Sequence, residues 1–359
     1  MKRILHLFSI GALLGLGACE GSFEIEQGGA YKIYVQAIAN SSTLFITPIL
    51  ATPVGSARKE TEFTVEAWLN GRSLEVKKVE QEEDGDLFMA LLVSEEQTGI
   101  LPGDEIRIRV SCPDAREVSG TTLAYPPMSI EDVEMEDCLI YANERTSAYG
   151  KKIQLHLEKA PGADEHYALR IMTVRETTFA DGQTETSIAY LTPGYITDPM
   201  QAGRFDLEDY MSFNFYGSYL GGSGADAPIT LLPEHRFDSD TYTFFLGSLD
   251  ANIIRDIVNN SPEGDGGIGR DKDQADPKEP ERKPVGSRTS YHFTLYRLSP
   301  EFFYYAKALY QSNFDFLSNM GLTPANFTYT NVDGGLGFVG YFGASGFRVE
   351  GEYESLIEE

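Results

Sequence analysis

Phe63-Thr64-Val65-Glu66-Ala67-Trp68-Leu69-Asn70-Gly71 reads as a β-strand running into a tight turn. Residues 63, 65, 67 and 69 share one face, as the two-residue period of a strand requires. Asn-Gly supplies the pair of positive φ angles that a two-residue hairpin loop needs. A return strand is predicted over 73–79, and Asp84-Gly85-Asp86 turns the chain into the apolar run Leu87 to Val93. Pro102-Gly103-Asp104 turns it again before Ile106-Arg107-Ile108-Arg109-Val110-Ser111-Cys112, where alternation is strict. Short strands at this spacing predict an immunoglobulin-like β-sandwich over 31–127. Trp68, the only tryptophan, reads as a core or rim anchor.

Tyr125-Pro126-Pro127 interrupts the pattern and marks the predicted domain boundary. Beyond it, Ile153, Leu155 and Leu157 alternate with polar residues, and 168–174, 241–246 and 291–298 continue in the same style. A second, larger β-sandwich is predicted over 128–359. Residues 259–287 hold almost nothing but Asp, Glu, Lys, Pro, Gly and other polar residues, and such a stretch buries too little surface to offset its ordering entropy. A disordered insertion is therefore expected there. Asp271, Asp273 and Asp276 do not form a calcium loop, because Ala275 and Asp276 stand where a ligand and the turning Gly are needed. Ser299-Pro300-Glu301 opens a helix with a favoured N-cap, a Pro tolerated in the first turn and an acid at the positive end. Its aromatic stripe, Phe302 and Tyr305, is expected to pack on the sandwich. The fold expected is thus mainly β, two sandwiches with a short helical segment near the C-terminus.

The N-terminus carries an address. Lys2 and Arg3 precede an apolar run from Ile4 to Leu16, and Gly17-Ala18 follow. These are the regions of a secretory signal in order, and the run is shorter than the ~20 residues of a spanning helix. Cys19 directly after the small pair matches a bacterial lipobox, so residues 1–18 are read as a lipoprotein signal peptide and Cys19 as the lipidated first residue. Two or three acyl chains anchor stably where one does so only marginally. Residues 19–30, with Glu20, Glu24 and Glu26, read as an acidic spacer.

The formal charge of −26 repels phosphate backbones, so nucleic-acid binding is not expected. With Cys19 spent on lipid, Cys112 and Cys138 remain as an even pair in an oxidising compartment. They read as a disulfide worth about 3 kcal/mol in the chain-entropy model, with two separately buried thiols as the alternative. No metal site is expected: His156, His166, His235 and His292 lack partners at ligand spacing. Gly221-Gly222-Ser223-Gly224-Ala225 falls one residue short of a nucleophile elbow. Gly335-Leu336-Gly337-Phe338-Val339-Gly340 spells the dinucleotide fingerprint, but the sequence after it is a poor helix former. Its glycines are expected to let an aromatic-rich extended segment bend and pack closely. No cofactor and no catalytic residue is expected, and the chain is read as a non-enzyme.

Ser299-Pro300-Glu301-Phe302-Phe303-Tyr304-Tyr305-Ala306-Lys307 and Asn331-Val332-Asp333-Gly334-Gly335-Leu336-Gly337-Phe338 resemble the C-terminal signature of a Bacteroidota lipoprotein family catalogued as domain of unknown function 4249. Leu101-Pro102-Gly103-Asp104 and Glu165-His166-Tyr167 fit in order. The resemblance implies an outer-membrane lipoprotein often encoded beside a TonB-dependent transporter, and it carries no catalytic residues. The function expected is a non-catalytic accessory or ligand-binding component of such a transporter, lipid-anchored and exposed at the cell surface, with the periplasmic face as the alternative. A glycan-binding surface lipoprotein, on Tyr216, Tyr219 and Tyr341, and a fimbrial-type structural subunit are the other readings. For the latter, Glu350 to Glu359 is too acidic for a convincing donor strand.

Overall fold

The structure is a computed structural model that describes residues 30–52, 57, 59–79, 87–91, 93–94, 97–142, 147–191, 212–214, 228–232, 237–247, 284–313 and 329–355. In chain order the strands are β1 (Lys32–Ala39), β2 (Thr43–Ala51), β3 (Thr64–Leu69), β4 (Arg72–Ser73), β5 (Lys77–Val79), β6 (Leu87–Leu91), β7 (Val93–Ser94), β8 (Gln97–Thr98), β9 (Glu105–Cys112) and β10 (Ala115–Leu123). Then come β11 (Ile130–Ala142), β12 (Ser147–Leu157), β13 (His166–Phe179), β14 (Thr184–Leu191), β15 (Ser212–Asn214), β16 (Pro228–Leu232), β17 (Phe237–Asp238), β18 (Thr241–Gly247) and β19 (Pro284–Leu298). Helix α1 (Pro300–Asn313), β20 (Val332–Asp333) and β21 (Leu336–Ser355) close the described chain. The protein is mainly β, built of several sheets with one short helix near its C-terminus.

Local chemistry explains the elements. Asn70 and Gly71 both have positive φ, 50° and 78°, and bring Trp68 and Leu69 opposite Ser73 and Arg72. The return strand is split, however: β4 stays with β3, while β5 pairs with β6 in another sheet. Leu74 and Val76 pack into the core between those sheets, so this short segment crosses from one layer to the other. Along β9, Ile106, Ile108 and Val110 are fully buried while Arg107 faces out. β19 begins at Pro284, so residues 284–287 of the segment expected to lack order form a ladder with residues 177–179 of β13. Extending two β-rich strands together pairs backbone groups that would otherwise need other partners.

Three cores surround one strand. A ten-stranded sheet has the order β15-β16-β13-β19-β21-β1-β2-β6-β5, with β14 on β13 off that path. Against its β1–β2–β6 half lies a five-stranded sheet, β20-β10-β9-β3-β4, and the two enclose a core that includes Ile33, Val35, Ile46, Ile106, Ile108 and Val118. Against its β13–β19 half lies a four-stranded sheet, β11-β12-β18-β17, with Ile153, Leu155, Leu169, Phe244 and Phe293 between them. On the opposite face of the large sheet, α1 buries Phe302, Tyr305 and Ala306 with Ile38, Tyr296, Phe338 and Phe342.

The strand common to all three is β21. Its residues 336–341 run parallel to β1, and residues 342–355 run antiparallel to β19. Because side chains alternate, the odd positions face the sandwiches: Val339 and Tyr341 enter the first core, Phe347 and Val349 pack on the second. Between them, Gly343 abuts Pro127, and the Ser345 hydroxyl donates to the Met128 carbonyl, so the linker between β10 and β11 rests on the same face. Phe338 and Phe342 point the other way, under the helix.

Candidate functional site

The residues that carry the family signature converge on one edge of β21. Through residues 336–341 this strand has β1 on one side and no described strand on the other. Unpaired N–H and C=O groups there would be costly to bury. Two side chains replace the missing neighbour. The Tyr341 N–H donates to Ser299 Oγ at 3.1 Å, and the Ser299 N–H donates to the Tyr341 carbonyl at 2.8 Å. The Val339 N–H donates to Asn331 Oδ1 at 2.9 Å, and Asn331 Nδ2 donates to the carbonyls of Val339 at 2.9 Å and Thr121 at 3.2 Å. Ser299 also caps α1, its hydroxyl accepting from the Phe302 N–H at 3.4 Å and its carbonyl from the Phe303 N–H at 3.0 Å.

The glycines of the dinucleotide-like string lie in this same strand and hold no phosphate cradle. A Cβ on Gly335 would stand 2.4 Å from the Ile33 carbonyl oxygen, and one on Gly337, at φ +109°, would stand 1.8 Å from that of Val35. Their space is occupied by the backbone of β1. Gly340 makes room for Phe302 in the same way on the helix side, where an added Cβ would meet the Phe302 Cβ at 2.8 Å. The signature is therefore architectural: it lets a strand pass through both sandwiches under a helix.

At the junction of the sandwiches sits a buried charge pair. Arg297 Nη2 lies 2.8 Å from Glu165 Oε1, with both side chains largely buried, and Arg297 Nη1 donates to the Pro126 carbonyl at 3.3 Å. The guanidinium also stands over the Tyr125 ring, 5.4 Å from its centre. Glu165 Oε2 accepts from the Tyr167 hydroxyl at 2.6 Å and the Gly162 N–H at 3.0 Å, and Lys159 approaches Oε1 at 3.5 Å. Burial pushes this carboxyl up, but the hydrogen bonds from Tyr167 and Gly162 and the charges of Arg297 and Lys159 outweigh it and hold it below its ordinary value. Burial, then Glu165, drives the Tyr167 hydroxyl far above the usual phenol range. A cleft of about 250 Å³ opens beside the pair, lined by Ala160, Pro161, Gly162, Ala163, Glu165, Phe237 and Ser239. With its carboxylate held by four donors and Arg297 bonded to the Pro126 carbonyl, the arrangement is a clamp on the linker. An arginine inside the apolar run Phe293 to Leu298 is the signal that could have flagged it.

The residues singled out from sequence fall as follows. Cys112 and Cys138 are free thiols, each partly buried, so the disulfide expected between them is not formed. From Cys112 the chain runs the length of β10 to the linker, and β11 then carries it onward to Cys138 in another sheet, each leg at about 3.4 Å per residue. His156 Nδ1 lies 3.2 Å from the Thr241 hydroxyl, with Nε2 3.5 Å from Glu134. His166 stacks on Phe303 at 4.1 Å, and His292 Nε2 lies 3.1 Å from the Ser290 hydroxyl. Trp68 is half-buried on the outer face of its sheet between Arg107 and Arg109, 5.9 and 5.3 Å from the ring centre. Tyr341, expected to be an exposed sugar platform, is buried in the first core; its odd position on β21 faces inward. Cys19, His235, Tyr216, Tyr219, residues 221–225 and Asp271, Asp273 and Asp276 lie outside the described residues. Among the described residues no group of three or more His, Cys, Asp or Glu side chains is placed to hold a metal ion, and no helix is long and apolar enough to cross a membrane.

Fold and junction together define a mainly β protein of stacked sheets, organised by a glycine-rich terminal strand. The chain belongs to the family described as Domain of unknown function (DUF4249), whose profile matches residues 23–348. No curated protein matches it.

Proposed function

We propose that this protein is a lipid-anchored outer-membrane component that binds a ligand or a partner without catalysing a reaction, acting beside a TonB-dependent transporter of a Bacteroidota cell. The observation that carries the reading is Leu16-Gly17-Ala18-Cys19 after a charged and apolar leader, a pattern that supports diacylation of the Cys19 thiol and cleavage before it. Two features support the non-catalytic part. Glu165, the buried carboxylate beside the cleft, is held charged by its neighbours, and the glycine-rich string is filled by the backbone of β1. The fimbrial alternative finds less support, because residues 342–355 of β21 are already laddered to β19 of their own chain. The test is twofold. Labelled palmitate should enter the protein and be lost in Cys19→Ser, and affinity purification from solubilised native membranes should recover a transporter. A soluble, unlabelled wild-type protein, or one recovered alone under conditions that keep such complexes intact, would refute the reading.

A further inference from the structure

The outer face of the second sandwich carries two polar groups that the fold buries and leaves unused. Tyr296 is 1 % exposed, and its hydroxyl meets no partner in hydrogen-bonding geometry, the Thr294 side chain being close enough to lower its pKa but not placed to bond it fully; Arg170 Nη1 is buried and without a partner as well. They are neighbours. Ala168 and Arg170 on β13 pair with Tyr296 and Thr294 on β19, and the Arg170 guanidinium lies over the Tyr296 ring, 5.6 Å from its centre. Along the edge away from β19, β13 pairs with β16 through Leu169 and with β14 from Ile171 onward, so Arg170 sits in the notch between those two ladders. On the β21 side the ladder partners are Ala344 and Gly346, both exposed, and a Cβ at Gly346 would meet only the Phe293 carbonyl oxygen at 3.9 Å.

An unpaired buried hydroxyl or guanidinium N–H is expensive, and two side by side call for one acceptor that serves both. Burial pushes the Tyr296 hydroxyl up to about 12, against the lowering influence of the Arg170 charge and of a partial side-chain hydrogen bond from Thr294, so it stays protonated and its proton is available to donate. Both vacant groups are donors, one of them cationic. The geometry points to a carboxylate-binding site in this notch, with the guanidinium of Arg170 and the hydroxyl of Tyr296 donating to a small organic acid or to the acid group of a larger ligand. This deepens the ligand-binding part of the proposed function and rests on it.

The test is calorimetry and thermal melting of the full chain with citrate, benzoate and galacturonate as probes, and phosphate and sulfate as competing oxyanions. At least one carboxylate should bind the wild type and raise its melting temperature. Tyr296→Phe should weaken that binding by about ten-fold or more while the unliganded protein melts no lower than wild type, because the hydroxyl it loses is unpaired. Arg170→Lys, which keeps the charge and loses the fork, tests the second donor and should also bind more weakly. Failure of every carboxylate to bind, or binding unchanged in both variants, overturns the site. A clear loss of unliganded stability in Tyr296→Phe also overturns it, since the hydroxyl is then bonded within the chain. Phosphate or sulfate binding as tightly as the carboxylates, through the same residues, overturns the ligand class. Co-purification with a transporter is read separately, so loss of either result leaves the other standing.

Discussion

Gly337→Ala is the sharpest perturbation of the architecture described above. Residue 337 has φ +109°, and an added Cβ would lie 1.8 Å from the Val35 carbonyl oxygen. Carbon–oxygen contacts between strands settle at about 3.3 Å, so β1 and β21 would have to part by about 1.5 Å there. That separation takes the flanking ladder bonds out of range, at about 1 kcal/mol for each of two. Holding a residue with a Cβ at positive φ adds about 1–2 kcal/mol, for a total of about 3–4 kcal/mol. Against a typical stability of about 5–15 kcal/mol this is a large fraction. Urea unfolding followed by the fluorescence of Trp68, the only tryptophan and a residue of the first sandwich, reads the loss as a lower midpoint. Gly346→Ala is the control, since its Cβ meets nothing nearer than 3.9 Å. A Gly337→Ala midpoint equal to that of wild type would refute the assignment of this string as a strand wedged against β1.

Four further outcomes follow from the structure. Ser299→Ala removes a helix cap and strands the Tyr341 N–H; it should cost about 2–4 kcal/mol in urea unfolding, whereas a loss no larger than that of an ordinary cap would show the edge contact to be idle. Arg297→Met leaves Glu165 charged and half-paired in the junction, so a loss of about 3–5 kcal/mol is expected, with Glu165→Gln in the same background restoring part of it. The Glu165 carboxyl is held below its ordinary 4.5, so its contribution is fully present above that value and drains away as pH falls through the folded-state pKa; melting scans should show a decline on the acid side that Glu165→Gln flattens. Finally, Cys112 and Cys138 are free, so reductant should leave the melting temperature unchanged and both thiols should react with a thiol reagent once the chain is unfolded.

How much of this was legible depended on the range of the interaction. Asn70-Gly71 specifies its own turn, and the alternation of Ile106, Ile108 and Val110 specifies a strand face, because both devices act within a few residues. Ser299 was readable as a cap for the same reason. Its second bond, to Tyr341, was not, since that needs a strand forty-two residues on. The glycines at 335 and 337 look alike in sequence whether the atom crowding them is a phosphate oxygen or a neighbouring carbonyl, and the reading that they allow close packing follows from the weak helix tendency after them rather than from their spacing. The cysteine pair misled because an even count says nothing of where β10 and β11 carry the two residues. Arg297, Glu165, Arg170 and Tyr296 meet only through the β13–β19 ladder and the linker, so no local spacing announces them.

What the structure adds is a reason for the two sandwiches to move together. At about 3.4 Å per residue β21 is about 65 Å long, and from Phe338 to Val349 its alternation supplies the first core, the linker contact and the second core on one face. The same strand supplies the floor of α1 on the other face, through Phe338 and Phe342. A change of angle between the sandwiches would have to break that alternation, the Arg297–Glu165 pair and the Ser299 and Asn331 contacts together, because each bridges parts that the linker alone would leave independent. The carboxylate notch lies beside Tyr296, which packs edge-on against Phe342 under the helix. Any ligand that engages the Tyr296 hydroxyl is therefore bound one ring away from the strand on which the whole chain is assembled, on a rigid element rather than on a loop.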